Sequence, residues 1–64
     1  MINTWTAHAA AAMQAEERRD IRSALWLWSR AAMEPTADDA LGQYAMARYL
    51  DLYYAANNIL RHRN

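Results

Sequence analysis

Sixty-four residues carry seven arginines against seven aspartates and glutamates, with no lysine and no cysteine; the chain has no net field to draw it to a phosphate backbone or an anionic membrane, and no disulfide can form. Only two histidines occur, His8 and His62, near opposite ends and without a carboxylate at ligand spacing, which predicts no metal and no cofactor. A chain this short holds one domain, residues 1–64, that buries roughly 60% of its unfolded surface, so pairing with another chain is the expected stabiliser.

The residue types point to an all-α fold. Ala, Leu, Met, Arg, Glu and Gln are abundant, Val and Phe are missing, and there is one Gly and one Pro, a composition that favours helix over strand. No apolar run reaches the roughly 18 residues of a membrane span. The opening MINTWTAHAA has neither the basic start nor the apolar core of an export signal, so a cytoplasmic protein is expected.

In chain order, a first helix is predicted over about residues 4–18, capped by Asn3 or Thr4 and presenting Trp5, Ala9, Ala12, Met13 and Glu16 inward. Its alanines allow a neighbouring helix to approach closely. Asp20 is the natural cap of a second helix over about 21–33, and so short a turn folds the two into an antiparallel hairpin. Ile21, Ala24, Leu25, Trp28 and Ala32 fall on the face that meets the first helix. Trp26 falls on the opposite side with Arg22, Arg30 and Met33.

Glu34-Pro35 ends the second helix, and Thr36 with Asp38 and Asp39 reads as the cap and acidic first turn of a third, over about 37–61. At 1.5 Å per residue that helix is about 37 Å long against about 20 Å for the second, so part of it lies beyond the hairpin. Its apolar arc is wide. Leu41, Ala45, Leu52, Ala56 and Ile59 form the stripe, with Tyr49, Tyr53 and Leu60 on one flank and Tyr44 and Ala55 on the other, enough to cover both its own hairpin and a second chain. A homodimer through Tyr49, Leu52, Tyr53, Ala56, Ile59 and Leu60 is expected. A monomeric three-helix bundle with exposed tyrosines is the alternative.

Residues 9–32, AAAAMQAEERRDIRSALWLWSRAA, follow the pattern of a tetratricopeptide-like hairpin, in which a polar turn precedes an aliphatic residue, Ala, an aromatic and another Ala: here Asp20, Ile21, Ala24, Trp28 and Ala31. Carried through the third helix, over about residues 7–55, the chain resembles the ANR family, small bacterial and phage-borne negative regulators of AraC-type transcription activators. The carriers are the Ala-rich first helix ending in Glu17, the segment ALWLWSRA from Ala24 to Ala31, and Tyr44-Ala45 followed by Arg48. Where the family usually has Trp-Ala and a later Cys, this chain has Tyr44 and no Cys. The resemblance implies a repressor that binds an AraC-type activator at its dimerisation region, with a phage or prophage origin to match.

Catalysis is not expected, because a nucleophile and its base need a sheltered cleft and neither Ser23 nor Ser29 has a histidine at a helical neighbour position. His8 and His62 read as solvent-facing or capping, and Glu16-Glu17 with Arg18-Arg19 as a solvated face with local ion pairing. Trp26, with Arg22, Arg30 and Met33, is the candidate anchor for a protein partner, Trp and Arg being enriched where binding energy concentrates. Cover of Trp26 by the third helix or a dimer mate is the competing reading. Direct DNA binding, through Arg18, Arg19, Arg22 and Arg30 or through Arg61 and Arg63, and a phage structural or host-factor-binding role are the functional alternatives.

Overall fold

The computed structural model describes residues 4–35 and 37–62, with residues 59–62 as backbone alone. Three helices make up the fold, α1 (Thr4–Glu17), α2 (Ile21–Ala32) and α3 (Asp39–His62), with no strand among the described residues. The all-α architecture is as the composition predicts, and each boundary falls within two residues of its expected place.

The α1–α2 turn is built from two residues with distinct roles. Asp20 N–H donates to the Ala15 carbonyl at 2.9 Å and Arg19 N–H to the Glu16 carbonyl at 3.0 Å, the paired bonds of a Schellman ending. That ending needs a left-handed residue, and the chain supplies Arg19 at φ 62° where glycine would sit without strain. Asp20 then caps α2, its Oδ1 accepting the Ser23 N–H at 3.2 Å. Hydrogen bonds from Ser23, side chain first and then backbone, hold the Asp20 carboxyl below its ordinary pKa.

Past α2, Met33 N–H reaches back to the Ser29 carbonyl and Glu34 N–H to that of Ala31, both at 3.2 Å. The third helix begins two residues later than expected because Asp38 is its cap: the Asp38 Oδ1 accepts Leu41 N–H at 2.8 Å and its carbonyl accepts Gly42 N–H at 3.0 Å. Asp39 alone is left as the acidic residue of the first turn. Thr36, the expected cap, lies outside the described residues.

The core is one large side chain among six small ones: Trp28 with Ala9, Ala12, Ala15, Ala24, Ala31 and Ala45, edged by Trp5, Leu27, Ala32, Tyr49 and Leu52. On α1 one expected inward residue faces out and one unexpected residue is buried. Met13 is 55% exposed, and Ala15, not expected inside, is fully buried; Met13 lies about 100° round the helix from Ala12, outside the arc centred there. On α2, Ala31 and Leu27 join the core while Ile21 and Leu25 are only half-buried. The reason is that α2 packs against both α1 and α3, whereas α1 and α3 scarcely approach each other, so α2 has an inward arc wider than one hairpin face.

Two predictions follow from the turn. Arg19→Gly should stabilise the fold by about 0.5–1 kcal/mol, since glycine adopts the left-handed conformation without a Cβ penalty, read as a higher melting temperature by circular dichroism; an unchanged or lowered value would show that Arg19 contributes more than its backbone. Asp20, with a folded pKa below its unfolded value, contributes stability that is fully present above the ordinary carboxylate range and is lost as pH falls through the lowered pKa. Urea midpoints should therefore fall further on acidification for the native chain than for Asp20→Asn, which has no proton to take up there.

Candidate functional site

Two constellations stand out, one inside and one on the surface. The inner one converges on Trp28, whose indole is wholly buried. Its Nε1–H donates to Glu16 Oε2 at 2.7 Å. The other oxygen of the same carboxylate, Oε1, accepts from Arg48 Nη2 on α3 in a salt bridge. Tyr44 meets the Trp28 ring edge-on at 5.8 Å between centroids and the Trp5 ring at 6.4 Å. Glu16 therefore does not belong to a solvated EERR face; it leaves the run of charges at the end of α1 to join all three helices. Beside it lies an open hollow of about 220 Å³, lined by Met13, Glu16, Glu17, Tyr44 and Arg48.

This arrangement ties α1, α2 and α3 together through one carboxylate. Both carboxylate oxygens of Glu16 are occupied by donors. Neither serine is poised as a nucleophile: the Ser29 hydroxyl donates to the Trp26 carbonyl at 2.6 Å, and Ser23 serves the Asp20 cap. His8 is half-buried and its Nδ1 is shielded from solvent without a hydrogen-bond partner, as is the Trp5 Nε1 one turn before it; the expected solvent-facing histidine is thus turned toward the protein. Among the described residues no three metal-binding side chains come together.

The surface constellation is the outer face of α2. Trp26 is 60% exposed and Met33 74%, with Arg22 and Arg30 exposed beside them. The Arg30 guanidinium sits 5.6 Å from the centre of the Trp26 ring, a cation–π contact that steadies both. Arg22, Ser23, Trp26 and Leu27 line an open hollow of about 400 Å³. The four residues expected to act together are thus displayed on one side of one helix, and α3 of the same chain does not cover Trp26.

No family model, curated protein or solved structure matches the chain. No described helix is long and apolar enough to cross a membrane.

The residues expected at a dimer interface on α3 separate. Tyr49 and Leu52 pack against the core, Ala56 is half-buried and Tyr53 exposed, and the side chains of Ile59 and Leu60 lie outside the described residues. Tyr53 stacks on Tyr49 at 6.2 Å and meets Tyr54 edge-on at 5.7 Å. Met46, Leu50 and Tyr54 are exposed alongside Tyr53; the sequence offers Tyr54, with Tyr49 and Tyr53, as a second candidate surface for a dimer, whereas Met46 and Leu50 are not expected at any interface. Met46, Leu50 and Tyr54 recur every four residues, a signal hidden beneath the broader inward arc.

Removing the Glu16 carboxylate should be costly despite its partial exposure. Glu16→Ala leaves the Trp28 Nε1–H buried without an acceptor, a loss of about 1–3 kcal/mol, and should lower the melting temperature measured by circular dichroism by more than Glu17→Ala, whose side chain is exposed. Equal effects of the two substitutions would mean that the carboxylate does not hold the indole.

Proposed function

We propose that this chain is a small protein-binding regulator that uses the outer face of α2 to bind an AraC-type transcription activator and keep it from activating promoters. The observation that carries the protein-binding part is the display of Trp26 and Met33 in water, rimmed by Arg22 and Arg30. A small domain with little core to spare leaves an indole outside at a cost, and an exposed apolar patch with a polar rim is the usual mark of a contact surface. Trp and Arg are also the residues at which truncation most often costs a complex 2 kcal/mol or more.

The chemistry of the face narrows the partner. Two guanidiniums flanking an indole fit an apolar pocket edged by carboxylates, because Arg pairs with carboxylates through a planar fork and steers the approach of an acidic surface. The choice of an AraC-type activator rests on the resemblance of residues 7–55 to the ANR family. Catalysis has no support in the geometry, and the balanced charge of the chain weighs against a phosphate backbone as the principal ligand.

The test is affinity capture of the tagged chain from bacterial lysate after nuclease treatment, with Trp26→Ala alongside. An AraC-type activator that survives nuclease on the native chain and is lost from the variant is the expected result. Direct titration should show the variant binding at least about 30-fold more weakly, the equivalent of about 2 kcal/mol, at an unchanged melting temperature. Capture that requires intact DNA would overturn the reading in favour of nucleic acid, and undiminished binding by the variant would move the contact surface elsewhere.

A further inference from the structure

We infer that α3 carries a second, independent contact surface whose occupant is another copy of this chain, with the two third helices paired antiparallel. The surface is the stripe Met46, Leu50, Tyr53 and Tyr54, all four side chains between 39% and 60% exposed. Its spacing of four and then three residues is that of a helix seam. The stripe is distinct from the face that holds the fold, because Ala45, Tyr49 and Leu52, each one position away in sequence, are the residues packed against the core. So α3 has two apolar faces and the chain itself covers only one.

Two features select a second copy and set its direction. First, α3 has 24 residues against 12 in α2, or about 36 Å against about 18 Å; Leu52 is the last of its described residues packed against the core, and Tyr53 and Tyr54 just past it are exposed. Another α3 has the matching length. Second, the stripe itself is uncharged, and the sequence is acidic before it and basic after it. It starts beside Asp38 and Asp39, continues through Gln43, Met46, Leu50, Tyr53 and Asn57, and the sequence then closes on Arg61, His62 and Arg63. Laid parallel, two copies set acid against acid and base against base. Laid antiparallel, each acidic start meets the other copy's basic end and the helix dipoles oppose favourably. Leu50, midway between Asp39 and Arg61, then lies at the two-fold axis, and Gln43 of one copy lies beside Asn57 of the other.

This surface is separate from the Trp26 face, so its failure and that of the proposed function are distinguishable. Sedimentation equilibrium of the full chain across a concentration series should show a monomer–dimer equilibrium, and Leu50→Arg, which brings two arginines together at the axis, should weaken it by roughly tenfold or more with the helical circular dichroism unchanged. A native chain that stays monomeric throughout, or a dimer indifferent to Leu50→Arg, overturns the proposal. The absence of cysteine allows the direction to be read: Gln43→Cys and Asn57→Cys chains, mixed and oxidised, should give chiefly the mixed disulfide. Disulfides formed only between like chains overturn the antiparallel arrangement.

Discussion

The structure depends on one indole and the carboxylate that satisfies it. Among the described residues Trp28 is the only large side chain wholly inside, and burying an indole removes roughly 200 Å² from water, worth about 5 kcal/mol at 25 cal/mol per Å². That is of the order of the whole stability expected of so small a domain. Yet the indole brings an N–H with it, and a buried donor without an acceptor forfeits much of the gain. Glu16 supplies the acceptor from α1, and its second oxygen takes Arg48 from α3. Where the backbones of α1 and α3 hardly meet, their side chains close over Trp28.

The alanines follow from the same constraint. A hairpin whose two helices face each other with Ala9, Ala12, Ala15, Ala24 and Ala31 sets its axes close together, and the indole then fills the single recess that the third helix completes. Bulk is not distributed through the core but concentrated at the junction of three elements. The turn at Arg19 and Asp20 fixes the hairpin in register with that recess, combining a strained left-handed residue with a cap whose carboxylate is favoured in its ionised form.

Much of this was legible in the residues. Hydrophobic spacing found the three helices and placed Trp28 inside and Trp26 outside, since two positions along a helix turn a side chain about 160° away and small residues mark the inner face clearly. Asp20 stood out as a cap because a polar run preceded it and a new period followed. Ahead of α3 the signal was degenerate: Thr36, Asp38 and Asp39 are all competent caps, and only the observed bond to Leu41 N–H selects Asp38. Met13 and Ala15 were exchanged because a bulky apolar residue outweighs an alanine in any periodicity argument, although tight helix contact prefers the alanine. Glu16 and Arg48 are 32 positions apart, and no local pattern distinguishes a carboxylate that spans three helices from a neighbour solvated on the same run of charges. The two surface faces differ in the same respect: the Trp26 face announces itself by an aromatic out of phase, while the stripe on α3 is masked by a helix that is apolar on more than one side.

A core made of alanine also sets how this gene can drift. Every single-base change of an alanine codon that alters the residue gives valine, threonine, serine, proline, glycine, aspartate or glutamate. At Ala12, Ala15 or Ala24, fully buried between close-packed helices, each of those adds volume, introduces an unpaired polar atom or breaks helical geometry. Most proteins lose stability when core residues shrink; this one is exposed chiefly to growth, so its tolerated variation should gather on the outer faces of its helices.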